Sequence, residues 1–148
     1  MLAKKEPMSL TKLARVSGVL WLLAASGAGA EVVTVVAAGN PVTTLSRGDV
    51  TNMFLGKLRQ FPDGSPVQPI DQPESSPARK VYYQTISGQR PEELKAYWSK
   101  MIFTGRGQPP PIVQDDEAVK EALAHQRGSI GYIDANAVDS RVRVVPLD

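Results

Sequence analysis

The chain has no cysteine, so it can form no disulfide, offer no thiolate to a metal and carry no lipidated N-terminal cysteine. It has one histidine, His125, which without thiols leaves too few ligands for a zinc centre. Neither a Gly-x-Ser-x-Gly elbow nor a Gly-x-x-x-x-Gly-Lys-Ser/Thr loop occurs, which removes the usual signatures of serine hydrolases and P-loop nucleotide binders. Neither sign of charge dominates, with 17 Lys+Arg against 15 Asp+Glu, and no basic stripe suggests nucleic acid. The one long apolar run, Val16 to Ala25, falls short of the roughly 20 residues that a membrane-spanning helix requires.

What is present begins with that run. Lys4, Lys5, Lys12 and Arg15 precede it, and Ala28-Gly29-Ala30 follows as a small-x-small cleavage site. Residues 1–30 therefore read as a signal peptide removed after Ala30, and the alternative, a retained membrane span, is not expected. The leader takes four of the 17 basic residues and one of the 15 acidic ones, leaving 13 against 14. The exported remainder, residues 31–148, is a single domain by length and has enough chain to bury a core of its own.

Val32 to Ala37 is β-branched and nearly all apolar, the pattern of a strand covered on both faces. Ser46 and Asp49 open a short helix that Gly56 stops, and Pro62-Asp63-Gly64-Ser65-Pro66 is a turn leading to a short strand, Val67 to Ile70. Prolines 77 and 91 each start a helix, and Gly88 caps the first of them. In the second, Leu94, Tyr97, Trp98, Met101 and Ile102 recur at helical spacing, and Phe103 is assigned with Tyr97 and Trp98 to the core. Asp115-Asp116-Glu117 opens a further helix, Ser129 to Ile133 is a strand, and Arg141 to Val145 is an alternating edge strand. Strands separated by helices imply an α/β fold: one compact domain with a mixed, mostly parallel sheet flanked by helices.

The stretch Pro69 to Arg79 carries the chemistry. It runs from a strand through a loop into a helix start, where Ser75, Ser76 and Arg79 surround free backbone amides. A helix N-terminus carries positive partial charge, and hydroxyls with a guanidinium beside it suit a small anion. Ser76 equally suits a plain N-cap, and Arg79 a surface ion pair with Asp71 or Glu74. Asp71 repels an anion unless loop donors or a proton on the ligand satisfy it.

Several blocks together resemble one family. Asn40-Pro41, Leu45 and Met53-Phe54-Leu55-Gly56-Lys57, then the Ser75-Ser76 helix start, then Gly128-Ser129-Ile130-Gly131-Tyr132 resemble, in order and spacing, the periplasmic substrate-binding proteins of phosphate ABC transporters. Phe103 to Gln108 resembles a loop of the short, single-lobe members. The resemblance implies one lobe of a type 2 periplasmic binding fold, export to the periplasm and a phosphate-like oxyanion held by Asp71, Gln72, Ser75, Ser76 and Arg79. It implies no cofactor and no catalysis, and it points to an ABC permease, a signalling protein or a second copy as partner. Where those relatives have arginine before a Ser-Gly-Thr turn, this chain has Asp71 and Gln72, and only the hydroxyl of Ser75 carries over. The alternative is an envelope interaction module with no small ligand.

Overall fold

The computed structural model describes residues 31–148, so the leader and its cleavage site lie outside the described residues. Strands β1 (Val32–Ala37), β2 (Gln68–Pro69), β3 (Ser129–Asp134) and β4 (Val142–Val144) form one sheet in the order β2-β3-β1-β4. Helices α1 (Arg47–Phe54), α2 (Pro77–Ser87) and α3 (Pro91–Phe103) supply the core on one side. Helix α4 (Asp116–His125) supplies it on the other.

The β-branched run of β1 does what its composition implies. Val36 belongs to the core cluster of Phe54, Tyr82, Leu94 and Trp98 on one side, while Val35 belongs to that of Val119 and Leu123 of α4 on the other. Gly131 of β3 lets α4 approach closely, because a Cβ there would stand 2.7 Å from Cγ1 of Val119.

The sheet is mixed, as expected, but it is not mostly parallel. β1 runs antiparallel to both neighbours, and among the described strands only the β2–β3 pair is parallel. The crossover through α2, α3 and α4 lays β3 parallel to β2, as a helical connection does. β1 comes first in the chain, and β3 and β4 both arrive running against it. The β3–β4 link holds only a 3-10 turn, Ala135–Ala137, and steps across β1. Alternation of strands and helices along a sequence does not say which strands become neighbours.

The β2 edge is closed to further pairing. Pro69 has no N–H, and its carbonyl accepts from Nε2 of Gln68 at 2.9 Å. On either side, Val67 N–H donates to Arg59 O at 3.0 Å and Asp71 N–H to Pro111 O at 2.8 Å. Such blocking protects a sheet edge from joining other chains.

Phe103 overturns its assignment to the core: it is 92 % exposed. Leu94 and Trp98 set the buried stripe of α3, and Phe103, five residues beyond Trp98, points roughly 140° away from it at 3.6 residues per turn. Ile102 is also half exposed. Among the described residues, no helix is long and apolar enough to cross a membrane.

Candidate functional site

Beyond β2 the chain enters the interior before it reaches α2. Asp71 is only 2 % exposed. Its Oδ1 accepts from the Tyr132 hydroxyl at 2.5 Å and from Gln72 N–H at 2.8 Å, and its Oδ2 accepts from the Tyr83 hydroxyl at 2.8 Å. Nε of Arg79 stands 3.4 Å from Oδ1. That is close enough for a charge pair, but the N–H is not aligned as a hydrogen bond, so this buried nitrogen has no hydrogen-bond partner. The guanidinium lies over the Tyr83 ring, 5.3 Å from its centroid. A buried carboxylate requires partners of this kind, because its desolvation costs several kcal/mol. Burial first, and the Asp71 charge second, push the hydroxyls of Tyr83 and Tyr132 well above the usual tyrosine range.

Gln72 is equally committed. Its Nε2 donates to Asp116 Oδ1 at 2.9 Å and to Tyr132 O at 3.0 Å, and its Oε1 accepts from the Ser76 hydroxyl at 2.8 Å. Ser76 is the N-cap of α2, its Oγ accepting from Arg79 N–H at 3.4 Å. Asp116 holds Asp134 N–H through its second oxygen at 3.1 Å. Residues far apart in sequence, in the segment after β2 and on α2, α4 and β3, are thus tied into one polar network.

Above this network lies a cleft of about 670 Å³, walled by Ser75, Ser76, Pro77 and Ala78 on one side and by Gln114 to Glu117 and Lys120 on the other, with Asp134 and Ala137 at its end. The starts of α2 and α4 both open on it. Ser75 is exposed there. The charge of the lining is negative: Asp115, Asp116, Glu117 and Asp134 against Lys120. Lys120 is itself engaged, donating to Ala137 O at 2.9 Å and to Asp139 Oδ2 at 3.0 Å. Arg141 and Lys120 hold the Glu117 carboxyl below the usual carboxylate range through their hydrogen bonds, and do the same to Asp139. Asp115 and Asp134 each use one oxygen to cap backbone N–H groups, those of Ala118 and Asn136.

Of the five residues named from the sequence, the structure brings Gln72, Ser75 and Ser76 to the cleft. Asp71 and Arg79 do not line it. Arg79 lies in a narrow crevice on another side of α2, with Lys80, Tyr83 and Leu94, so its pair with Asp71 is buried rather than a surface pair. The sequence reading missed Tyr83, Tyr132, Asp116 and Asp134. Only the period-2 pattern of β3, which turns Tyr132 to the same face as Ile130, carried a signal for any of them. His125 is exposed, with Nδ1 2.8 Å from Glu121 O. Among the described residues no group of three or more acidic or histidine side chains is placed to hold a metal.

A second depression, of about 650 Å³, lies towards the other end of the sheet, lined by Met53, Leu58, Trp98, Met101, Pro66 to Pro69 and the loop Gly107 to Pro111. Its lining mixes apolar side chains with Arg59, Gln68 and Gln108.

No protein-family model matches the chain, and no curated protein matches it. Solved structures do. An ABC-type phosphate transport receptor from Vibrio cholerae superposes with a TM-score of 0.59 at 18 % identity, over 77 % of this chain and 44 % of its own. A putative phosphate ABC transporter substrate-binding protein with bound phosphate, from Clostridium perfringens, gives 0.62 at 19 % identity, over 79 % and 44 %. PstS from Borrelia burgdorferi gives 0.58 at 13 % identity, over 79 % and 47 %. This chain therefore has the fold of one lobe of the phosphate substrate-binding proteins, and it spans less than half the length of each of these three.

Proposed function

We propose that the chain is a non-catalytic, exported solute-binding lobe that holds a small phosphate-like oxyanion at the start of α2, between Ser75 and Asp134. The observation that carries this reading is the fold shared with phosphate receptors, one of them with bound phosphate, together with an α2 N-terminus that opens on a cleft beside the exposed Ser75. In this role Gln72 and Ser76 shape the turn, while Asp71 and Arg79 support it from below. The acidic wall disfavours a fully ionised anion. It suits one that keeps a proton and donates it to a free oxygen of Asp115 or Asp134, which favours phosphate over sulfate. The same likeness suggests a periplasmic location and hand-over to an ABC permease or a signalling protein.

Magnitudes set the expected affinity. Helix-terminus electrostatics offer about 0.3–2 kcal/mol and a charged hydrogen bond about 1.5–3 kcal/mol. Together these correspond to a Kd on the order of millimolar. Phosphate at ten times Kd then stabilises the fold by about 1.4 kcal/mol, a rise in Tm of about 5 °C for a domain of this size. Thermal unfolding in graded phosphate and sulfate tests it. Phosphate is expected to raise Tm, more strongly as pH falls and the anion gains a proton, and Ser75→Ala to weaken the response. Equal responses to phosphate and sulfate, or none to either, would remove the reading.

One observation favours a second reading, an interaction module without a small ligand: Phe103 stands in solvent at the end of α3. Capture of a protein partner that ignores phosphate, together with a flat phosphate titration, is its expected signature.

A further inference from the structure

Phe103 is the largest anomaly on the surface. A phenylalanine at 92 % exposure, preceded by Ile102 at 49 %, closes α3 and stands next to a chain reversal at Gly105, where φ is 66°. Two cations on the same segment, Lys100 and Arg106, are exposed as well. This tip is apolar at its point and positive at its base.

The cleft is its complement. Its lining carries four carboxylates against one engaged ammonium, together with the apolar side chains of Pro77, Ala78 and Ala137. Asp115 and Asp134 each keep one oxygen that has no hydrogen-bond partner among the described residues. Tip and cleft do not touch within one molecule, since none of Phe103 to Arg106 lines the cleft. The sealed β2 edge meanwhile excludes association by strand addition there.

We propose that the Phe103–Arg106 tip of one molecule docks into the acid-lined cleft between the starts of α2 and α4 of a second copy of this chain. The inference goes beyond the oxyanion reading and does not require it. The two surfaces differ, so the contact is heterologous: every copy offers one tip and one cleft, and association continues head to tail unless it closes into a ring. A loop in a cleft buries less than a standard interface, so the assembly is weak and forms at high concentration. Ion pairs at its rim make it sensitive to salt.

Sedimentation velocity of the purified protein in phosphate-free buffer tests the proposal. The weight-average mass is expected to rise reversibly between about 10 μM and about 1 mM protein, the range of weak contacts, and to fall back to the monomer near about 1 M salt. A tip variant, Phe103→Ser with Arg106→Glu, and a cleft variant, Ser75→Lys, are each expected to stay monomeric. Both alter exposed positions, and circular dichroism checks that they fold. Mixed in equal amounts, the two variants are expected to form a dimer and nothing larger, because one intact tip and one intact cleft remain between them. A wild-type chain that is monomeric throughout overturns the proposal and leaves the tip to another partner, such as an acidic protein or a lipid surface. So does association that survives in the tip variant, or a mixture that fails to dimerise. Because phosphate is absent throughout, none of these results decides the oxyanion reading.

Discussion

The two ends of the molecule invert the usual partition of polar and apolar groups. At the cleft end, Asp71, Gln72 and Arg79 are buried and locked to Tyr83, Tyr132, Ser76 and Asp116. At the tip end, Phe103 stands almost wholly in water and Ile102 is half exposed. Buried polar groups with several partners hold a backbone in one conformation, while exposed apolar groups add nothing to folding and remain available to something else. Substitution at the cleft end should therefore cost stability, and substitution at the tip should cost only association.

The largest expected effect is that of Asp71→Ala. It strands a buried guanidinium and two tyrosine hydroxyls, and breaking a buried pair in this way costs about 3–5 kcal/mol. Chemical denaturation measures it, and a loss below about 1 kcal/mol would show the network to be dispensable. Alkali probes the same end. Burial raises the pKa of Tyr82, Tyr83 and Tyr132, so all three must stay protonated in the folded chain. The stability this confers is complete below the ordinary tyrosine pKa of about 10 and is lost as pH rises above it. Tyrosinate absorbance should show Tyr97, the least buried of the four, titrating first and the other three only with cooperative unfolding. Smooth titration of all four in a folded chain would contradict the burial.

Smaller effects sharpen the contrast. Gly131→Ala drives a methyl group against Val119 and is expected to cost about 1–3 kcal/mol by overpacking. Ser76→Ala removes the α2 cap and the donor to Gln72 Oε1, at about 1 kcal/mol. Phe103→Ser should change folding stability by no more than about 0.5 kcal/mol, since an exposed side chain away from any network rarely does more. A loss above about 1 kcal/mol there would mean that Phe103 is covered within its own chain in solution.

Legibility followed the range of the interactions involved. The starts of α2 and α3 at Pro77 and Pro91 and the cap at Gly88 (φ 70°) were readable, because proline and glycine act on the backbone within a turn. The Ser46 cap, whose Oγ accepts from Asp49 N–H at 3.0 Å, is equally local. Strand direction was not readable, because β1 meets β3 about a hundred residues later. At the candidate site the sequence singled out Asp71, Gln72, Ser76 and Arg79, but not which way they turn. That depends on Tyr132 and Asp116, which contribute from β3 and α4. The period of α3 likewise contained the outward direction of Phe103, but its aromatic character masked it.

By itself, the sequence determined the elements, their caps and turns, and the α/β class, because these follow from backbone preferences and apolar periods that act over a few residues. Only the tertiary structure decided that β1 is antiparallel to both its neighbours, that the Asp71–Arg79 pair is buried, and that the cleft above it is acidic. Those outcomes depend on which distant groups share a low-dielectric interior or a common surface, and no local pattern along the chain encodes that proximity.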